Sequence, residues 1–248
     1  MQRYFLQREA FNIDTVELPP DVVHHIGTVL REGPGYRMVL LDGTGVEYES
    51  EVLTLDKKTG TAKVLQKREA TTELPIDVTL AYALPKGDKV ELVAQKATEL
   101  GLHHLLVFES KRSVAKWDAK KAPKKVERLQ KIMQEAAEQS YRAVVPTCQY
   151  VSSRELAHGF EQYDAIVLAY EETAKSGEQS ALANVIASLA PGARLLLIVG
   201  PEGGFDQDEI DGWVERGGVP CAFGPRILRS ETAPLYALAA ISYALELT

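Results

Sequence analysis

Two short aliphatic segments in the last third of the chain, each followed closely by glycine, restrict its possible folds most strongly. Residues 194–199 (RLLLIV) form an apolar run without the polar alternation of a strand that faces water on one side. The run stops at residues 200–204 (GPEGG), and a second run at residues 219–223 stops at residues 224–225 (GP). Uninterrupted aliphatic strands are typical of parallel sheets covered by helices, so the sequence predicts an α/β fold.

The two glycine turns also predict a ligand site. Turns at the carboxyl ends of parallel strands are where open α/β sheets bind ligands, and glycine lets backbone N–H and C=O groups approach a nucleoside closely. Glu202, Arg226, Arg229 and Glu231 lie in or beside these turns. Each turn alone is more simply a tight connection with surface ion pairs, but the two together favour a site.

From Ile76 onward, apolar runs alternate with helical patterns. Strand patterns occur at 76–84, 105–108, 165–170, 194–199 and 219–223, and helical patterns at 88–100, 124–141, 180–189, 206–216 and 235–247. This alternation favours a mostly parallel sheet with helices on both faces. The last helical pattern is apolar nearly all round, which indicates burial in a core or at a subunit interface.

The N-terminal part of the chain has a different pattern. Residues 37–41 lead into an Asp-Gly turn, and residues 46–55 alternate roughly between apolar and polar side chains, as in hairpins. A small β-barrel fits this pattern best. The polar stretch 67–75 separates the two regions, so we predict a first domain of residues 1–72 and a second of residues 73–248.

Charge is distributed unevenly along the chain. The 248 residues carry a net charge of −7, yet residues 111–131 contain nine basic and two acidic side chains. A solvated helix face is the commoner explanation of such a run, and an electropositive patch that meets phosphates is the other. Composition leaves both interpretations open.

Several functional classes lack their signatures. The sequence contains no GxxxxGK[ST], GxSxG or HExxH motif, and no GxGxxG follows the first strand of the α/β region. Cys148 and Cys221 are isolated, so neither a disulfide framework nor a metal site is predicted. The chain starts without a signal-peptide pattern, and its longest nearly uncharged segment, 233–245, is too short to span a bilayer. We therefore expect a soluble cytoplasmic protein without a membrane partner.

The glycine turn at 200–204, together with residues 228–233 (LRSETA), resembles the paired signature of the SPOUT superfamily of knotted methyltransferases. Within that superfamily, the chain resembles the bacterial 16S ribosomal RNA uracil-N3 methyltransferases. Further matches are His24-His25 with residues 29–31 (VLR), 86–89 (KGDK), 95–101 (QKATELG), 112–114 (RSV) and 135–140 (EAAEQS). Because they follow in order along the chain, the resemblance covers essentially all of it.

The resemblance implies a fold, a cofactor and partners. The segment from about Leu195 to the C-terminus would form a trefoil knot that holds S-adenosylmethionine, and the N-terminal barrel would be a PUA-like RNA-binding domain. The partners would be 16S ribosomal RNA or the small ribosomal subunit, and a second copy of the chain in a homodimer.

The resemblance also implies site residues. Cofactor contacts would come from three strand ends, at Leu168, Ala169, Tyr170, Glu171, Gly200, Pro201, Glu202, Gly203, Phe223, Gly224, Ile227, Leu228 and Arg229. Phosphate contacts would come from Arg31, Lys86, Lys89, Arg112, Lys116 and Arg142. Such contacts position RNA rather than specify its sequence.

The chemistry of uracil N3 adds a catalytic hypothesis. N3 carries a proton that must leave, so Glu202 or Glu231 would accept it, directly or through water, while Arg229 stabilises the negative charge that develops on the uracil oxygens. The residues do not decide between the two carboxylates. Two other functions stay open: a non-catalytic RNA-binding protein, and a SPOUT-type methyltransferase acting on tRNA or on another ribosomal RNA nucleotide.

Overall fold

The computed structural model describes residues 1–175 and 180–247. The chain divides into two units. The first comprises Met1–Glu73 and Ala137–Val145, and the second comprises Leu74–Ala136 and Pro146–Thr248. The first unit therefore includes a short segment from the middle of the chain, which the sequence analysis had assigned to the second domain.

The first unit contains a five-stranded sheet in the order β1-β3-β4-β5-β2. Its strands are β1 (Arg3–Phe5), β2 (Thr15–Leu18), β3 (Arg37–Leu41), β4 (Val46–Leu55) and β5 (Gly60–Glu69), and its helix α1 (Pro20–His24) continues into a π-helical turn, His25–Leu30. β1 pairs with β3 in parallel and the other pairs are antiparallel. The pairing of β4 with β5 shifts its register twice, as at β-bulges. The predicted strand-rich N-terminal region is thus confirmed.

Arg142 belongs to the core of the first unit, which corrects its prediction as a phosphate contact. It is only 2% exposed, and its guanidinium pairs with Glu73, whose carboxylate also accepts the backbone N–H groups of Ala143 (2.8 Å) and Val144 (3.2 Å). A buried, paired guanidinium does not reach RNA. Its role is to anchor the segment 137–145 within this unit.

The second unit is built on a six-stranded sheet in the order β11-β9-β10-β6-β7-β8. Its strands are β6 (Asp77–Ala83), β7 (His104–Phe108), β8 (Thr147–Val151), β9 (Ala165–Ala169), β10 (Arg194–Val199) and β11 (Val219–Cys221). The helices that follow α1 in the chain are α2 (Lys89–Glu99), α3 (Ala122–Gln139), α4 (Ser153–His158), α5 (Glu171–Lys175), α6 (Ala181–Ser188), α7 (Gln207–Val214) and α8 (Thr232–Glu246). Every neighbouring strand pair is parallel, which confirms the predicted α/β sheet.

Alternate residues of the central strands enter two separate cores. In β10, Leu195 and Leu197 join the cluster packed against α2 and α8, whereas Leu196 and Ile198 join the cluster that contains Ile210 and Trp213 of α7. Successive side chains of a strand point to opposite faces, so a strand covered on both sides must be apolar at every position. This explains the uninterrupted run at residues 194–199.

Strand β8 and helices α4 and α5 were not predicted, and helix α8 begins earlier than predicted. Strand β8 was missed because it lies at the edge of the sheet, where Thr147 and Gln149 are exposed and interrupt the apolar pattern. Helix α8 begins at Thr232, three residues before the predicted start, and includes Pro234. Proline is tolerated in the first turn of a helix, where its missing N–H has no intrahelical acceptor. Among the described residues, no helix is both long and apolar enough to cross a membrane.

Candidate active site

A cavity of about 850 Å³ opens beside the carboxyl ends of three neighbouring strands in the second unit. These strands are β9, which ends at Ala169, β10, which ends at Val199, and β11, which ends at Cys221. The residues that follow each strand line the cavity. Its volume lies within the range of small-molecule sites, and its position is the one at which open α/β sheets bind ligands.

The glycine turn after β10 has little room for a side chain. A Cβ atom at Gly200 would lie 3.3 Å from the carbonyl carbon of Gly204 and 3.3 Å from Cε2 of Phe205. Gly204 has φ +64°, and Gly224 in the next turn has φ +84°, a region that residues with a Cβ rarely adopt. At their glycine positions, the turns therefore bring backbone to the cavity wall.

All but one of the predicted cofactor contacts line this cavity. They are Ala169, Tyr170, Glu171, Gly200, Pro201, Glu202, Gly203, Phe223, Gly224, Ile227, Leu228 and Arg229. Leu168 is fully buried beneath it, and its Cδ1 would lie 3.0 Å from a Cβ at Gly218. Because side chains alternate along β9, the side chain of Leu168 enters the core instead of the cavity.

Lys89 joins the two carboxylates that were predicted to act in catalysis. Its Nζ lies 2.9 Å from Oε1 of Glu202 and 3.0 Å from Oε2 of Glu231. The backbone N–H of Lys86 donates to both oxygens of Glu202 (3.2 and 3.3 Å), and Oγ of Ser230 donates to Oε2 of Glu231 (3.3 Å). Lys89 was predicted to contact phosphate, and the structure places it in an ion-pair network.

This network favours the ionised form of both carboxyl groups. Burial alone would raise the pKa of Glu202, but hydrogen bonds from the Lys89 ammonium and from backbone N–H groups outweigh it and lower the pKa. The pKa of Glu231 is lowered by its own backbone N–H and by Lys89. Conversely, hydrogen bonds to Glu202 and Glu231 raise the pKa of Lys89. All three groups are charged at neutral pH.

Three arginines contribute positive charge to the cavity wall. Arg226 and Arg229 line it and are exposed, and neither forms an ion pair with any residue in the described part of the chain. Arg112 also lines it, donating from Nη1 to the carbonyl oxygen of Gly203 (3.2 Å), with Nη2 at 3.6 Å from Oδ2 of Asp206. The cavity thus presents both signs of charge.

The remaining predicted phosphate contacts are exposed. Lys86 and Lys116 lie on the surface of the second unit, and Arg31 lies on the surface of the first, in the left-handed conformation (φ 60°) at the end of the π-helical turn. Within the basic segment 111–131, Lys111 pairs with Asp206 and Asp208 and Arg128 pairs with Glu91. Part of that segment's charge is therefore neutralised locally.

Several cavity residues were not predicted from the sequence, of which Gln207 is the most informative. Its Oε1 accepts a hydrogen bond from the hydroxyl of Tyr170 (2.7 Å), which joins the start of α7 to the end of β9 across the cavity wall. A capping box between Asp206 and Glu209 marks the start of this helix and is readable from the sequence. The direction of the Gln207 side chain is not. Among the described residues, no cluster of three or more His, Cys, Asp or Glu could hold a metal ion.

The second unit is an α/β domain with a cavity of the size of a nucleoside site at its strand ends. The same chain also contains a small β-rich unit. Family models agree with both parts: an RNA methyltransferase domain matches residues 72–242, and an RNA methyltransferase PUA domain matches residues 18–65.

Comparison with known proteins identifies the family of RNA methyltransferases to which the chain belongs. Ribosomal RNA small subunit methyltransferase E of Bacillus subtilis is 45% identical over 100% of this chain and 98% of its own. A crystal structure of the protein of that name from Neisseria gonorrhoeae, bound to S-adenosyl methionine, is 30% identical over 100% of both chains with a TM-score of 0.84. A putative methyltransferase from Legionella pneumophila, in complex with the same cofactor, is 27% identical over 98% of this chain and 97% of its own, with a TM-score of 0.77. The chain belongs to the ribosomal RNA small subunit methyltransferase E family of RNA methyltransferases.

Proposed function

We propose that this protein transfers a methyl group from S-adenosylmethionine to N3 of a uridine in 16S ribosomal RNA. The observation that carries the proposal is the cavity at the ends of β9, β10 and β11, which gathers the predicted donor contacts in a member of this family. The Bacillus subtilis relative is named for ribosomal RNA of the small subunit, and the Neisseria gonorrhoeae relative binds the donor. The choice of uracil N3 rests on the sequence resemblance and on the chemistry below.

The cavity suits S-adenosylmethionine in size, backbone exposure and charge. The turns at 200–204 and 223–225 offer N–H and C=O groups to a nucleoside, since no side chain at Gly200, Gly203 or Gly224 covers them. Carboxylates and guanidiniums on the wall complement a ligand that carries an ammonium, a sulfonium and a carboxylate. When bound, this cofactor supplies an electrophilic methyl carbon. The trefoil knot around it remains part of the proposal.

The residues of the chain have two chemical tasks. Glu202 or Glu231 accepts the N3 proton, so that the nitrogen lone pair can form the new bond to carbon, and the proton passes from the carboxyl group to solvent. Arg229, which has no competing ion pair among the described residues, stabilises the negative charge that spreads onto the uracil oxygens. Glu202 lines the cavity. Glu231 is not one of its lining residues, but it forms an ion pair with Lys89, which is. Both remain candidates for the base.

RNA must present an unpaired base to this cavity. N3 lies on the pairing edge of uracil, so the target uridine has to be single-stranded or flipped out of a helix. We assign phosphate contacts to the exposed cations Arg31, Lys86, Arg112 and Lys116, and to the exposed lysines of the basic segment. The β-rich unit acts as a PUA-like RNA-binding domain, and the protein works in the cytoplasm on ribosomal RNA.

The protein also forms a homodimer in this proposal. Tyr236, Tyr243 and Leu247 of the second unit expose 41%, 62% and 74% of their surface. We assign this exposed apolar surface, on helix α8 and directly after it, to an interaction between subunits. A second copy of the chain is its occupant, and light scattering should give twice the 27.3 kDa of the chain. A monomeric mass at micromolar concentration would refute this part.

One experiment tests the enzymatic proposal. The protein is incubated with small ribosomal subunits, or with their naked RNA, and methyl-labelled S-adenosylmethionine, and the nucleosides are identified by mass spectrometry. We expect labelled 3-methyluridine at one position. Donor binding without transfer to any RNA would favour the non-catalytic alternative, and label on tRNA or on another base would favour the second alternative.

A further inference from the structure

Lys89 has contacts that a phosphate-binding lysine does not need. Its ammonium lies between two carboxylates, at 2.9 and 3.0 Å, and its side chain is 32% exposed. Lys86, three residues earlier, is exposed, and its side chain forms no ion pair with any residue that the structure describes. The two lysines of one short motif therefore have different surroundings, although both were predicted to contact phosphate.

The two carboxylates need a cation between them. Glu202 follows β10 and Glu231 is the residue before α8, so they approach from different elements, and each is within hydrogen-bond distance of the same nitrogen. Two carboxylates that share a site raise each other's pKa unless a positive charge separates them. Lys89, the first residue of α2, supplies that charge.

The other groups around this pair do not replace it. The Lys86 N–H and the Ser230 hydroxyl donate hydrogen bonds but carry no charge. From β6, the buried Tyr82 hydroxyl has a pKa raised by burial, with the negative charges of Glu231 and Glu202 adding to the effect, so it stays neutral. Glu91, in the first turn of α2, is paired with Arg128 at 2.7 Å. The charged groups on the rest of the cavity wall are Arg112, Glu171, Glu172, Arg226 and Arg229.

We propose that Lys89 is a positioning residue for methyl transfer, which holds Glu202 and Glu231 ionised and oriented toward the substrate, and is not a phosphate contact. The inference rests on the proposed function, because it assigns the proton acceptor to this carboxylate pair. A base must be deprotonated when uracil arrives. With Lys89 in place, the carboxylates keep this form at lower pH than they would as an unscreened pair.

The test compares Lys89→Met with Lys89→Arg. In the free protein, carbon NMR of ¹³C-labelled glutamate carboxyl groups follows the titration of Glu202 and Glu231 without cofactor or RNA. We expect the methionine variant to titrate at higher pH at both positions, and the arginine variant to remain close to the native protein. Unchanged titration in Lys89→Met would overturn the proposal. If Lys89→Met does not fold, Lys89→Gln takes its place as the uncharged variant.

Single-turnover kinetics then separate positioning from RNA binding. Lys89→Met should lower the methylation rate at saturating RNA about 10- to 100-fold and move the acidic limb of its pH profile upward, with Lys89→Arg restoring most of both. Lys86→Met is the contrasting variant: as a phosphate contact it should weaken RNA binding and reduce the salt slope by about one, with the same pH profile. If Lys89→Met behaves like Lys86→Met, or if arginine restores nothing, the inference is wrong. Failure of the native protein to methylate any RNA would instead refute the proposed function, whatever the carboxyl titrations show.

Discussion

Gly200→Ala should damage the donor site through packing alone. The new methyl group would meet two atoms at 3.3 Å, the backbone carbonyl carbon of Gly204 and the ring of Phe205, which is 4% exposed. Neither is the free end of a flexible side chain, so the turn itself must shift by a few tenths of an ångström. Overpacking of this kind costs about 1–3 kcal/mol. The shift also moves the backbone groups that face the cavity, and we expect donor affinity to fall about tenfold or more.

Gly203→Ala is the matched control within the same turn. A Cβ there would meet nothing closer than Cβ of Arg112 at 3.6 Å, an ordinary van der Waals contact, and its φ is not positive. Its free energy of unfolding, measured by chemical denaturation, should stay within about 0.5 kcal/mol of the native protein. Donor affinity of Gly200→Ala is measured by titration calorimetry. Equal destabilisation by the two substitutions, or a Gly200→Ala protein with native stability and affinity, would refute the reasoning.

Three further predictions follow from the same contacts. Replacing Glu202 and Glu231 singly by Gln should identify the base, since loss of a general base lowers the single-turnover rate about 10²- to 10⁴-fold; native rates in both variants would end the carboxylate hypothesis. Glu73→Gln removes the carboxylate charge that pairs with the buried Arg142 guanidinium and should cost about 3 kcal/mol in denaturant unfolding, whereas a phosphate-binding Arg142 would leave stability unchanged. Gly212→Ala should stabilise the protein by about 0.5–1 kcal/mol, because Gly212 lies within α7 and no atom lies within 4 Å of its added Cβ; a lower midpoint would show that this space is not open.

The elements that sequence predicts best are those whose residues all face one kind of environment. Strand β10 is apolar on both faces because both are covered, and the turn after it needs glycine because a Cβ at Gly200 has no room. The apolar strand and the glycine turn after it were therefore enough to predict the position of the cavity from the sequence. Strand β8 was missed because an edge strand exposes part of its side chains, which removes the apolar signal.

Contacts that depend on distant partners were not predictable from the sequence. Arginine is a residue type that commonly contacts phosphate. The carboxylate partner of Arg142, however, lies 69 residues earlier in the chain, and their pairing becomes visible only in the fold. Lys89 is similar: its two partners follow β10 and precede α8, and no local pattern at residues 86–89 indicates them. Exposure and pairing of a charged side chain are properties of tertiary structure.

The central claim is that the strand ends of the second unit hold the methyl donor next to the Lys89, Glu202 and Glu231 network. A crystal structure of the protein with S-adenosylmethionine tests it most directly. The account predicts donor density in the cavity after β9, β10 and β11, with the nucleoside against the backbone of residues 200–204 and 223–225. Density for the donor at any other surface, with this cavity filled only by solvent, would contradict it.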